Sequence, residues 1–167
     1  DCYNKEHSFP KSWFNDASPM YSDIFHVVPT DGWVNGQRGN FPFGEVGTAT
    51  FTSMNGSKKG NARSGLGYSG VVFEPIDAFK GDFARIYFYM ATRYENVISN
   101  WPGSVMLDGS NDKVYNDWAL DMLKDWHIND PVSQKEIDRN NYIYYNIQGN
   151  RNPYVDNSNY VFDVWGS

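Results

Sequence analysis

The stretch YNKEHSFPKSWF at residues 3–14 decides how this chain is read. It sets Glu6 next to His7, joining a hard anionic ligand to a base that titrates near neutral pH. On a regular strand, neighbouring side chains point to opposite faces. The two can therefore serve one site only where the strand ends or bends. Pro10 lies three residues beyond His7. It gives the strand a reason to end, because proline has no N–H to donate to a ladder. By spacing alone, a Glu–His pair is more often a solvated surface feature than a site.

Working outward, the chain has two further histidines, His26 in SDIFHVVPTD and His127 after Trp126. Metal-assisted phosphodiester hydrolysis needs a cation to polarise the phosphate and a base of pKa near 7 to take a proton from water. Glu6 can supply one ligand and His7 the base. A second ligand must come from elsewhere, and His26 is available, although a lone histidine is more often a satisfied core or surface residue. His127 falls outside every motif and reads as structural. In VNGQRGN, at residues 34–40, Thr30 is placed to cap a short helix with Asn35 and Arg38 three residues apart on one side. Arg38 is the first candidate for a phosphate contact, because guanidinium matches phosphate oxygens bidentately; a structural ion pair is the competing reading. Arg85, in GDFAR, stays open between a phosphate contact and an internal role. Gln148, Asn150, Arg151 and Asn152 form a polar turn that orders the C-terminal part.

The rest of the chain supports one α+β domain over residues 1–167. Hydrophobic residues make up 40% and aromatics 17% of 167 residues, enough to build a core. No run approaches the roughly 18–20 apolar residues of a membrane span. The single Cys2 offers no disulfide framework, and an opening Asp in place of Met suggests a processed or excised form. The net charge of −6 argues by itself against a nucleic-acid binder. However, residues 30–93 hold seven basic and five acidic side chains, whereas residues 95–130 hold two and seven. That asymmetry fits a positive face opposite an acidic one, and uneven clustering on a solvated surface fits it equally well. Residues 1–72 look irregular. Strands are expected at TATFTSM and GYSGVVFEP, with NGSKKGNARSGLG (residues 55–67) a flexible loop by composition. Apolar residues at three- and four-residue spacing predict helices over 77–94 and 116–127. A third is expected over 133–148, opened by a Ser133–Glu136 capping box and closed by Gly149. Most of the aromatic rings fall at helical spacing and belong to the core.

Five segments, YNKEHSFPKSWF, SDIFHVVPTDGWVNGQRGN, FEP, KGDFARIYFYMATRY and QGNRNPYVD, occur in the order seen in the bacterial endonuclease I family, and the chain resembles that family over roughly residues 3–156. The resemblance implies a ββα-metal (His-Me finger) core with a helical C-terminal half. It implies a secreted or periplasmic, sequence-nonspecific endonuclease acting on DNA and RNA and leaving 5′-phosphates. Magnesium, with manganese as an alternative, is the implied cofactor. By the same match Glu6 is a metal ligand, His7 the general base and His26 the second ligand, at a position where relatives carry His or Asn. Asn35 and Arg38 fall in a third family motif. Phe25 replaces a histidine usual in relatives and is expected to be structural. Relatives carry several dozen residues before the Glu–His motif, and that segment is not in this sequence. Neither a membrane nor an obligate protein partner is implied. The competing readings are a degenerate nuclease domain that binds without cutting and a carbohydrate-active module.

Overall fold

In the computed structural model, which describes residues 3–166, strand β1 (Tyr3–His7) runs antiparallel to β2 (Val27–Asp31). Glu6 lies opposite Val28 and His7 opposite Val27, so both stand in the ladder, with the histidine its last residue. Cys2 lies outside the described residues. Helix α1 (Gly32–Arg38) follows β2 directly. Its cap is Asp31, whose carboxylate accepts from the backbone N–H groups of Trp33 and Val34. Thr30, the expected cap, is still in the ladder opposite Asn4. Gly39, at φ 53°, then reverses the chain in a conformation that side chains resist.

A second, antiparallel sheet has the order β3 (Val46–Thr52), β4 (Lys58–Ala62) and β5 (Val71–Glu74). The two expected strands are its edges. The expected loop at residues 55–67 is corrected, because it contains the central strand β4. The Gly- and Lys-rich composition that reads as loop has a packing cause. A Cβ on Gly60 would lie 2.0 Å from the Thr48 carbonyl oxygen, so only glycine allows β3 so close.

Helix α2 (Lys80–Arg93) begins after a single 3-10 turn at Asp77–Phe79 and buries Ala84, Tyr87, Phe88 and Met90. Gly81, costly inside a helix, is required by close approach: a Cβ there would sit 2.0 Å from the Asp130 carbonyl oxygen. Asp130 follows α3 (Asp117–Asn129), which packs against α2. Helix α4 (Gln134–Ile143) has the expected Ser133–Glu136 capping box, widens into a π turn at Tyr144–Gln148 and stops at Gly149. Two short helices, α5 (Pro153–Asp156) and α6 (Tyr160–Trp165), complete the helical half. The mixed composition agrees with the α+β expectation. Among the described residues, no helix is long and apolar enough to cross a membrane.

Candidate functional site

The end of the hairpin and helix α1 hold the candidate residues. Glu6 is 6% exposed. Its Oε1 forms an ion pair with the Arg38 guanidinium, which also donates to the carbonyls of His7 (2.9 Å) and Ser8 (2.6 Å). Tyr87 touches the same guanidinium through its hydroxyl, and the cation sits 4.5 Å from the centre of the Phe43 ring. Arg38 is 2% exposed and is engaged with Glu6 rather than presented at the surface for a phosphate. Its two terminal nitrogens are engaged inside the molecule, because α1 crosses the end of the hairpin and turns position 38 inward, whereas Nε is buried with no hydrogen-bond partner among the described residues. The competing ion-pair reading is the one observed. Burial pushes the Glu6 carboxyl above its ordinary range, and Arg38 works against that shift. The other oxygen, Oε2, is buried and has no hydrogen-bond partner among the described residues.

Asn35, one turn earlier on α1, is half-buried, and its amide N–H approaches the Lys5 carbonyl at 3.5 Å. Glu6, Asn35 and Arg38 line a cavity of about 650 Å³ between the hairpin and the helical half, together with Phe43, Phe83 and Arg139. Neither His7 nor His26 is among its lining residues.

His7 is half-buried at the strand end, with Nε2 3.0 Å from the Tyr21 carbonyl oxygen. An N–H donated there leaves Nδ1 as the nitrogen with a free lone pair. The His26 ring lies 5.3 Å from that of His7 but is fully buried, against Phe14 at 5.7 Å. Its Nε2 is 2.7 Å from the Met20 carbonyl, and desolvation lowers its pKa to about 4. Burial thus favours the neutral imidazole, whose Nδ1 is buried with no hydrogen-bond partner among the described residues, beside the expected base and apart from the cavity that Glu6 lines.

Residues that sequence reasoning passed over hold this arrangement. Asp23 accepts from the hydroxyls of Tyr89 and Tyr94, both at 2.8 Å, and from the Phe25 N–H and the Gln148 amide, both at 3.0 Å. Arg139 donates to the carbonyls of Ile24, Phe25 and Val27, clamping both sides of His26. A lone Arg on a polar helix carries no such signal, since its partners are more than a hundred positions away. Phe25 fills space against Tyr89, ring to ring at 4.6 Å, as a structural residue should.

Arg85 is fully buried and bidentate on Glu136 at 2.6 and 2.9 Å, with further contacts to the Asp130 carbonyl and His127. Of its two readings, the internal one holds. His127 is structural, its other nitrogen 3.0 Å from the Ser158 carbonyl. The polar turn orders the C-terminal part as expected: Gln148 reaches Ile24 and Asp23, Asn150 the Tyr89 hydroxyl, and Asn152 the Arg85 carbonyl.

Hairpin, helix and Glu–His pair define a class: a mixed α/β protein with an acid and an imidazole at the end of a strand, backed by a buried arginine. The chain belongs to the Endonuclease I family, whose model matches residues 1–159. It is 37% identical over 170 residues to an extracellular ribonuclease of Bacillus amyloliquefaciens, covering 98% of this chain and 54% of that protein. To an extracellular ribonuclease of Bacillus subtilis (strain 168) it is 35% identical over 170 residues, with the same coverage of 98% and 54%. An endonuclease-1 of Buchnera aphidicola is 28% identical over 134 residues, 80% of this chain and 44% of that protein. The chain thus spans about half the length of the curated relatives it matches.

Proposed function

We propose that this chain is a metal-dependent, sequence-nonspecific endonuclease of the ββα-metal type, hydrolysing phosphodiester bonds in both DNA and RNA. The observation that carries the reading is the unpartnered Oε2 of Glu6. A buried carboxylate oxygen without a donor is costly, and a bound cation is one of the few things that satisfies it. Among the described residues, no cluster of three or more His, Cys, Asp or Glu side chains surrounds it. The donor set therefore fits a cation that keeps most of its water, the habit of magnesium.

For the second ligand the sequence suggests His26, but Asn35 fits better. Its amide oxygen is a hard donor suited to magnesium, and it shares the cavity wall with Glu6. His26 is sealed in the interior with Nε2 on a carbonyl. When bound, the metal would polarise the phosphate and stabilise the leaving oxygen. Arg38 orients the carboxylate and ties it to the strand end. His7 takes the proton of the attacking water at Nδ1, with the Tyr21 carbonyl fixing the tautomer.

Because the chemistry addresses the backbone, little sequence preference follows. The relatives' name ribonuclease supports RNA as a substrate, endonuclease supports internal cleavage, and "extracellular" supports a secreted setting, while DNA and the periplasm rest on the family resemblance. The family resemblance supports 5′-phosphate products. The test is degradation of plasmid DNA and of RNA with magnesium, with manganese and with chelator. Cleavage of both that chelator abolishes is expected. Cleavage that survives chelator removes the metal, and binding without cleavage reduces the chain to a nucleic-acid-binding domain.

A further inference from the structure

We infer that Tyr21 and Lys11 form a subsite for an unpaired nucleotide beside His7, the base stacking on the tyrosine ring and a phosphate meeting the ammonium. The inference rests on the nuclease reading of His7. Tyr21 is 46% exposed, and its ring centre lies 5.0 Å from that of His7 at an angle of 41°. Its main-chain carbonyl is also the partner of His7 Nε2. One residue thus orients the imidazole through its backbone and offers an aromatic face beside it. The Lys11 Nζ stands over the same ring, 5.6 Å from its centre, so the ammonium must move off that face, toward a phosphate, for a base to stack there.

Both side chains project from short 3-10 turns, Lys11–Phe14 and Met20–Ser22, whose Trp13, Phe14 and Met20 are buried in the core. The adjacent Asp23 is held by four hydrogen bonds. The ring is therefore presented from an anchored backbone, so little order must be created on binding. Lys11 pairs with Asp16 at 2.7 Å, but both side chains are half exposed, and such a pair is weak enough to yield to a phosphate.

Every base has a π-face, so stacking is compatible with cutting any sequence. A base inside a duplex is already stacked and paired, however, and must leave the helix to use the ring. The subsite should therefore favour single strands. The experiment is single-turnover cleavage of a labelled single strand and of the same strand in a duplex, by the parent chain, Tyr21→Ala, Tyr21→Trp and Lys11→Ala. Tyr21→Ala should raise the half-saturating enzyme concentration on the single strand roughly ten- to a hundredfold, with little change on the duplex. Tyr21→Trp should restore single-strand binding. Lys11→Ala should weaken both substrates and lower the salt slope by about one phosphate. Equal losses on both substrates in Tyr21→Ala would report a disturbed His7 and overturn the subsite, as would an unchanged ratio. A parent that neither binds nor cuts either substrate overturns the nuclease reading as well, a result distinct from these.

Discussion

Replacing Arg38 with alanine tests whether this residue serves the fold or the substrate. The substitution leaves Glu6 as a buried carboxylate with neither oxygen paired and removes a donor from the carbonyls of His7 and Ser8, the latter keeping the Tyr87 hydroxyl. Breaking a buried ion pair from one side costs about 3–5 kcal/mol. For a chain of this size each kcal/mol moves the midpoint by about 2–4 °C, so a drop on the order of 6–20 °C is expected. The pH dependence has a definite sign. Burial already raises the Glu6 pKa, and Arg38 is what opposes the rise. An acid whose folded pKa lies above its unfolded value costs stability when ionised, and the cost lifts as pH falls through the folded value. Without Arg38 the folded value climbs further. The deficit relative to the parent should therefore be largest near neutral pH and shrink on acidification. Adding Glu6→Gln should recover part of it even at neutral pH. Urea unfolding across pH, with cleavage measured against salt, reads all of this. An Arg38→Ala chain as stable as the parent, with a salt slope shallower by about one phosphate, would put the guanidinium on substrate and refute the argument.

His7→Ala should lower turnover about 10²–10⁴-fold, with calorimetric metal affinity unchanged; near-parental turnover would remove His7 as the base. Asn35→Ala should weaken metal binding, whereas His26→Ala should leave metal affinity intact and cost about 1–3 kcal/mol by orphaning the Met20 carbonyl. The reverse pattern in calorimetry would restore His26 as the ligand. Arg85→Ala should destabilise by about 3–5 kcal/mol through the unpaired Glu136 while leaving the salt dependence of cleavage unchanged, and a stable variant with a shallower slope would reopen a substrate role.

Much of the architecture was legible because its causes are local. The capping box at Ser133, the apolar spacing of residues 77–94 and the αL glycine at 149 act within a few residues of themselves, and each lies where the pattern puts it. The Glu6–His7 pair and the break after it could likewise be read from residues 3–14. Strand β4 could not, since Gly60 is explained only by Thr48 on the neighbouring strand. The arginines were undecided for the same reason. Guanidinium fits a phosphate and a carboxylate equally well, and only the tertiary arrangement, α1 packed across the hairpin and the start of α4 brought to Arg85 of α2, turned Arg38 toward Glu6 and Arg85 toward Glu136. His26 lost its solvent to a loop clamped by Asp23, Gln148 and Arg139. The sequence by itself determined which chemical groups are available and which local elements carry them. Tertiary structure decided which of those groups face water and which face each other, because burial and pairing depend on partners that lie far away along the chain.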